Sequence, residues 1–205
     1  MSYQQDEHGQ PRRRQLSALT VRLIIAGIII LMSLVSYWSQ GEINPTTGEV
    51  QRVGGLSVED EVAIGLQSAP QMIAEYDGES QDWRGRQNVE TITARLLNAL
   101  YQKVQSRGGE IPYQFQVHLL ANRQTVNAFA LPGGQIFITE ALYKNLQNEA
   151  QLAGVLGHEI GHVIERHAAQ RMAKDHLFQG FVGAAGVAGG SRESAQLANV
   201  VSQVT

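Results

Sequence analysis

The chain has 205 residues, of which 43% are apolar and 17% charged, and its formal net charge is −3. This length and composition suffice for one globular domain with a hydrophobic core and an appended segment. The charge balance gives no reason to expect nucleic acid as a partner. The chain has no cysteine, which excludes disulfides, cysteine-ligated zinc and a thiol nucleophile and is compatible with an oxidising compartment.

The N-terminal region contains a candidate membrane anchor. Residues 1–20 are polar and arginine-rich and are predicted to be a disordered cytoplasmic tail. Residues 21–38 are predicted to be a transmembrane anchor that ends in Tyr37 and Trp38, where an aromatic belt would lie. Because the arginines precede the anchor, the positive-inside rule puts the rest of the chain outside the cytoplasm. A cleaved signal peptide is the alternative, and the two bulky rings disfavour a cleavage site.

The next segments are predicted from turn and capping signals. Residues 39–56 are predicted to form a linker, because Asn44–Gly48 has the composition of a turn and a pair of glycines follows it. A capping box at Ser57 predicts a helix that runs towards Tyr76, with a possible interruption at Pro70.

A second helix and a small β region follow. Apolar residues at helical spacing predict an amphipathic helix over Asn88–Arg107. Alternation of apolar and polar residues predicts a strand over Tyr113–Leu119. Two further apolar runs, Asn127–Leu131 and Gln135–Thr139, flank Pro132-Gly133-Gly134 and predict a hairpin or tight connection.

A metal-binding pattern lies in the next helix, which Asn148 caps and which is predicted to run from about Glu149 to about Lys174. His158, Glu159 and His162 form the pattern H-E-x-x-H. Residues four apart on an α-helix share a face, so the two imidazoles can bind one metal ion from the same side. Glu159 points about 100° away and suits a general base rather than a ligand.

The alternative is a chance match with exposed side chains and no metal. Three glycines in the same helix, Gly154, Gly157 and Gly161, each cost up to about 1 kcal/mol relative to alanine. Such a cost is easier to understand if backbone or substrate approaches closely. Together with the preceding hairpin, these glycines favour metal binding.

A third protein ligand, which a catalytic zinc requires, is not evident. Glu165 and Ala168 stand where the metzincin pattern needs glycine and histidine, which excludes that class. His167 lies about 140° round a straight helix from His162, so it is interpreted as a histidine that contacts a metal ligand or caps the core rather than binding the ion. Glu193 could fold back as a ligand, but this is disfavoured. Other residues interpreted as not binding the metal are His8, His118 (a surface histidine), Asp175 and His176 (near a helix C-terminus).

The C-terminal segment is apolar and then helical in pattern. Residues 180–190 are glycine-rich and too short for a second span, so we predict close packing or contact with a membrane surface. A stripe from Leu197 to Val204 runs to the end of the chain without a cap, which suggests a helix that is cut short.

Several linked motifs carry a resemblance to a known family. The runs Asn127–Thr139 and Asn148–His162, followed by Arg166 and His167, resemble the membrane-associated zinc metallopeptidase family of HtpX, BepA, mitochondrial Oma and the Ste-type proteases. The resemblance covers roughly residues 57–175. It implies a gluzincin, in which a glutamate from a later helix is the third ligand. That glutamate is expected beyond Thr205.

The resemblance implies an α+β fold: a mainly helical, zincin-like domain over residues 57–205, incomplete at its C-terminus, with a small sheet or hairpin beside the active-site helix. It implies one Zn²⁺ per chain, held by His158 and His162, with Glu159 as the general base. Asn127, Ala128 and Phe129 are the expected substrate-binding strand, since an extended chain can add to a sheet edge. For Asn127, an ordinary turn residue is an equally weighted alternative.

The expected function is zinc-dependent endoproteolysis of unfolded or misfolded membrane or envelope proteins. The expected location is the bacterial inner membrane, single-pass, with the catalytic domain on the periplasmic side. The alternative is a catalytically incomplete metal-binding or chaperone-like module that lacks the third ligand. The sequence leaves the oligomeric state open.

Overall fold

A computed structural model describes residues 17–189 of the chain. The predicted N-terminal tail up to residue 16, the stripe from Leu197 to Val204, and the side chains His8 and Glu193 lie outside this range. The described residues divide into two compact units. One contains the residues up to Ser36 and those from His176 on, and the other is Tyr37–Asp175.

The first unit is helical. Helix α1 spans Ala18–Ser39, and within residues 17–189 it alone is long and apolar enough to cross a membrane by length and composition. Helix α6 spans His167–Gly189, so residues 180–189 of the predicted glycine-rich segment are helical. A Cβ built at Gly180 would lie 2.1 Å from Ser33 Oγ, which shows the close packing predicted for this segment.

Residues 39–56, predicted as a linker with a turn, contain a short β-hairpin. Strands β1 (Gly41–Ile43) and β2 (Val50–Arg52) pair antiparallel, with the predicted turn between them. Asn44 is buried, and its Nδ2 donates a 2.7 Å hydrogen bond to the carbonyl oxygen of Ile164. A partner 120 residues away therefore holds the hairpin in place.

Two long helices follow the hairpin. Helix α2 spans Val58–Glu75, and the predicted capping box is present, with Ser57 Oγ accepting from the backbone of Asp60. Pro70 lies inside α2 without interrupting it. Helix α3 spans Trp83–Gln105 and begins earlier than predicted, because the Asp82 side chain caps it by accepting from Gly85 N.

The second sheet has three strands in the order β3-β5-β4. Strands β4 (Ala128–Ala130) and β5 (Gln135–Thr139) form the predicted antiparallel hairpin, and β3 (Gln116–Leu120) pairs parallel to β5. Strand β3 begins at Gln116, three residues after the predicted start at Tyr113. Every residue of β5 is buried, so the central strand is covered on both faces.

The turn between β4 and β5 fixes α2 against the sheet. Pro132–Gly134 forms a single 3₁₀ turn, and Gly133 has φ of 78°, which is the left-handed region. A Cβ on Gly133 would lie 2.4 Å from Val62 Cα, and one on Gly65 would lie 2.0 Å from the Pro132 carbonyl oxygen. Only glycine permits this contact between two backbones.

The short helix α4 (Glu140–Asn145) is held by a buried carboxylate. The Glu140 side chain accepts from Ser80 Oγ, Lys144 Nζ and Arg123 Nε. Burial alone would raise the pKa of Glu140, but these hydrogen bonds outweigh it and lower the pKa to about 2. Glu140 is therefore ionised at neutral pH although it is 1% exposed.

Helix α5 (Glu149–Ile164) completes the core. It begins at the predicted cap, where Asn148 Oδ1 accepts from Gln151 N. Its apolar face packs on α3 and on the sheet, in a cluster of buried residues that comprises Val89, Ile92, Tyr113, Leu119, Ile136, Ile138, Leu152, Leu156, Ile160, Val163 and Ile164. The opposite face of α5 carries the two motif histidines.

Candidate metal centre

The two motif histidines lie one turn apart on α5. His158 Nε2 and His162 Nε2 are 3.0 Å apart. Tetrahedral zinc with Zn–N bonds of about 2.0–2.1 Å holds two nitrogen donors about 3.3 Å apart. The two side chains therefore fit two adjacent ligand positions. Among residues 17–189, no group of three or more His, Cys, Asp or Glu side chains could hold a metal ion, so this part of the chain offers two donors.

Glu159 lies beside the pair and is 7% exposed. It lines a cavity of about 470 Å³ together with both motif histidines and the three residues of β4. A carboxylate in this position can reach a water molecule in the cavity without being a ligand.

The helix that carries the motif does not continue to Lys174, so the predicted single helix is wrong. Helix α5 ends at Ile164, Arg166 has φ of 53°, and α6 begins at His167. No proline or glycine lies at this break. Its cause is instead a set of distant partners that bind the Arg166 side chain.

Arg166 is 3% exposed and is bound on all sides. Its Nε donates to Glu61 Oε1 at 2.8 Å, its Nη1 to Glu42 Oε2 at 3.0 Å, and its Nη2 to the Leu56 carbonyl oxygen at 2.6 Å. Glu61 is 2% exposed and also accepts from Tyr113 Oη at 2.8 Å. This buried cluster joins α2, the first hairpin and the end of α5.

The cluster has a defined charge state. Burial lowers the pKa of Arg166, but the hydrogen bond and charge of Glu61 outweigh burial and raise it above its ordinary value. Burial and the charge of Glu61 raise the pKa of Tyr113 well above its ordinary value of 10. At neutral pH the cluster therefore holds charged Arg166 and neutral Tyr113.

The turn at Arg166 brings His167 back to the motif. His162 Nδ1 and His167 Nδ1 are 2.6 Å apart, within hydrogen-bonding distance. His162 thus contacts His158 through Nε2 and His167 through Nδ1, on opposite sides of its ring. His167 and His162 are therefore not related as on a straight helix. His167 contacts the side of the His162 ring that faces away from His158, and it does not form a three-ligand group with the two motif histidines within residues 17–189.

Strand β4 forms the rim of the cavity and the edge of the sheet. Asn127 O accepts from Thr139 N, and Leu131 N donates to Gln135 O. Backbone groups alternate along an antiparallel strand, so those of Ala128 and Ala130 point away from β5. On this edge of the sheet, these backbone groups therefore have no partner strand within the described residues.

The three predicted substrate-binding residues differ in position. Ala128 and Phe129 line the cavity, and the Phe129 ring stacks on Phe137 at 4.9 Å between centroids. Asn127 is not among the residues that line this cavity. Its backbone is bonded to Thr139, and its Nδ2 donates to Tyr76 Oη at 3.4 Å.

Other polar residues considered from the sequence have structural partners. Glu165 Oε2 accepts from Gln51 Nε2 at 3.0 Å. His118 is not a plain surface histidine, because its side chain is 15% exposed, stacks on Phe137 and contacts Glu79 Oε1 at 2.8 Å. Asp175 and His176 lie within α6, so His176 is not near a helix end.

Two expectations about neighbours of the motif also change. Within the described part of the chain, no atom lies within 4 Å of a Cβ built on the three glycines of α5, which gives no sign of close backbone approach. Glu61 and Glu42, which bind Arg166, were not predicted from the sequence. The only signal in the sequence for Glu61 is the run of acidic residues Glu59, Asp60 and Glu61 in the first turn of α2.

Two histidines one turn apart, a buried glutamate between them and an open strand edge above them are features of metal-dependent peptidases. Residues 87–204, more than half of the chain, match peptidase family M48. The chain belongs to this family, and the family resemblance stated from the motifs is confirmed.

Three relatives illustrate the similarity. The chain is 32% identical over 121 residues to a beta-barrel assembly-enhancing protease of Yersinia pestis, covering 57% of this chain and 22% of the relative. It is 40% identical over 60 residues to the mitochondrial metalloendopeptidase OMA1 of Arabidopsis thaliana, covering 29% of this chain and 12% of the relative. It is 25% identical over 151 residues to OMA1 of Schizosaccharomyces pombe, covering 73% of this chain and 42% of the relative. The chain thus spans less than half the length of each of these relatives.

Proposed function

We propose that this protein is a zinc-dependent endopeptidase that cleaves unfolded or misfolded membrane or envelope proteins. One observation carries the proposal: the two Nε2 atoms, 3.0 Å apart, share a cavity with Glu159 and with the open edge of β4. The family match and the names of the relatives support proteolysis.

His158 and His162 are the proposed zinc ligands, with one Zn²⁺ per chain in a zincin-like site. Neutral imidazole nitrogens are ordinary zinc donors, and the described residues supply two of them. The third ligand is proposed to be a glutamate of a later helix, as the family resemblance implies. A bound zinc ion would supply the Lewis acidity that makes a water molecule nucleophilic near neutral pH.

Glu159 is proposed to be the general base. It accepts a proton from the attacking water and passes it to the leaving amine of the cleaved peptide. Its burial supports this role, because electrostatic interactions of a carboxylate are stronger where it is largely removed from water.

The substrate is proposed to bind as an added strand on β4. Backbone groups of Ala128 and Ala130 are free to pair with an extended peptide above the motif. Folded proteins rarely offer an extended segment with unpaired backbone, so this mode favours unfolded polypeptide. The small side chains at these two positions leave room next to α5.

His167 is proposed to orient His162. When Nε2 of a neutral imidazole binds metal, its proton lies on Nδ1 and needs an acceptor. His167 Nδ1, at 2.6 Å, is that acceptor. The buried Arg166 cluster holds the turn that puts His167 there.

The proposed location is the bacterial inner membrane, with α1 as the single-pass anchor and the catalytic part on the periplasmic side. Helix α1 and the arginines before it support this orientation.

The second candidate is an inactive metal-binding or chaperone-like module. It is favoured by the finding that, within residues 17–189, no group of three or more His, Cys, Asp or Glu side chains could hold a metal ion. The two candidates differ in whether a bound peptide is cut.

The test is cleavage of a fluorescently labelled, unfolded casein by the purified protein with added zinc, compared with Glu159→Gln. The proposal predicts that the variant retains zinc and loses cleavage. Equal cleavage by the variant would remove Glu159 from its role. Binding of casein without cleavage by the wild-type protein would favour the inactive module.

A further inference from the structure

The first hairpin, β1–β2, has an apolar face that is turned outward. Ile43 and Val50 are register partners, and they are 71% and 66% exposed. Directly opposed residues of an antiparallel pair have side chains on the same face. The two side chains therefore form one exposed apolar pair.

The opposite face of the same hairpin is polar and bonded to the protein. Glu42 Oε2 accepts from Arg166 Nη1, and Gln51 Nε2 donates to Glu165 Oε2. Gln51 Oε1 also accepts from Asn44 Nδ2 at 2.9 Å. In a hairpin that covers an ordinary core, the apolar residues would lie on this inner side. The polarity of this hairpin is inverted.

An arginine and an aromatic ring adjoin the apolar pair. Arg52 lies two residues after Val50 on the same strand, so its side chain leaves on the same face. Its guanidinium carbon is 4.4 Å from the centroid of the Trp38 ring and 5.8 Å from that of Tyr37. Trp38 is 65% exposed. We call Trp38, Ile43, Val50 and Arg52 the outer hairpin face.

This face follows the candidate membrane span directly along the chain. Helix α1 ends at Ser39 and Ile43 is four residues later, at most about 14 Å away in extended chain. The headgroup region on each side of a bilayer is about 5–7 Å thick. Tryptophan and tyrosine prefer this region, and arginine can keep its charge there while its stem contacts apolar groups.

We propose that the outer hairpin face lies in the headgroup region of the bilayer and binds lipid. The proposal rests on the membrane anchoring in the proposed function. A protein partner fits less well, because two side chains expose far less area than the about 1,000 Å² that a stable protein interface buries. The inner face joins the same hairpin to Glu165 and Arg166, so one hairpin connects the membrane surface with the end of the metal-motif helix.

The test uses the lack of cysteine in the chain. Single cysteines are introduced as Ile43→Cys, Val50→Cys and, as a matched exposed control, Val126→Cys, which replaces a side chain that is 57% exposed. Each full-length variant is labelled with an environment-sensitive fluorophore. It is then inserted into vesicles of phosphatidylcholine and phosphatidylglycerol, with and without brominated phosphatidylcholine.

The proposal predicts severalfold stronger bromine quenching at positions 43 and 50 than at 126. Insertion is monitored separately by bromine quenching of Trp38 in a Trp83→Phe background, which leaves one tryptophan. If Trp38 is quenched but the labels at positions 43 and 50 are quenched no more than the label at position 126, the lipid-binding proposal is overturned. In that case, α1 is still shown to be inserted in the bilayer. If Trp38 is not quenched, the anchoring itself fails. Labels that are shielded from water but insensitive to bromine would show a protein partner and would also overturn the proposal.

Discussion

Removing the carboxylate of Glu61 tests whether the buried cluster stabilises the domain. In Glu61→Leu, Arg166 loses its 2.8 Å partner and Tyr113 loses its acceptor, while both remain buried. Removing one member of a buried ion pair typically costs about 3–5 kcal/mol. Arg166 keeps Glu42, which is partly exposed, and a backbone carbonyl, so we expect a loss of about 3 kcal/mol.

The loss is measured by urea unfolding of the full chain in detergent micelles, followed by tryptophan fluorescence and extrapolated linearly to zero urea. The matched control is Glu149→Leu. Glu149 pairs with Arg95 at 3.4 Å, with both side chains about two-thirds exposed, so we expect a loss below about 1 kcal/mol. The double variant Glu61→Leu with Arg166→Met should recover most of the stability, because it leaves no unpaired buried charge.

The reasoning would be refuted if Glu61→Leu cost no more than Glu149→Leu. It would also be refuted if the double variant were less stable than Glu61→Leu alone, since that result would mean that the charge of Arg166 is satisfied without Glu61.

Three further predictions concern pH, metal affinity and backbone packing. The pKa of Glu140 is lowered to about 2, so the stability that its carboxylate contributes is present above its ordinary pKa of 4.5 and is lost as the pH falls towards 2. Glu140→Gln should lower the unfolding free energy by about 1–2 kcal/mol at neutral pH, after allowance for its exposed partners, and by less at pH about 3. An equal loss at both pH values would contradict this. His167→Leu should weaken zinc binding about tenfold or more in a competition assay with a chromophoric chelator. His167→Asn can still accept a hydrogen bond from His162 Nδ1 and should weaken zinc binding less. Equal zinc affinities in the wild type and both variants would show that His167 does not orient His162. Gly133→Ala should lower the free energy of unfolding by more than about 2 kcal/mol, because Gly133 has a positive φ and contacts α2. Gly161 has open space around it, so Gly161→Ala should be neutral or stabilising by up to about 1 kcal/mol. Urea unfolding of both variants distinguishes these outcomes.

Features that depend on neighbours in the chain were predictable from the sequence. The caps at Ser57 and Asn148 each use a side chain and a backbone group three residues apart, so their signal is local. The β4–β5 hairpin has a turn with its own glycine signature. The spacing of His158 and His162 follows from the helix period alone.

Features that depend on distant partners were not predictable. The end of α5 is set by the bond between Arg166 and Glu61, which are 105 residues apart, and no local breaker marks it. The predicted linker forms a hairpin because Asn44 and Gln51 bond to Ile164 and Glu165. In both cases, tertiary hydrogen bonds override what the local sequence favours.

The most direct test of the central claim is the zinc affinity of the protein, measured by equilibrium dialysis for the wild type, His158→Ala, His162→Ala and Glu159→Gln. We expect each histidine variant to bind zinc at least about tenfold more weakly and Glu159→Gln to bind it as tightly as the wild type. Unchanged affinity in the histidine variants, or a loss in Glu159→Gln as large as theirs, would contradict the assignment of two histidine ligands and one general base.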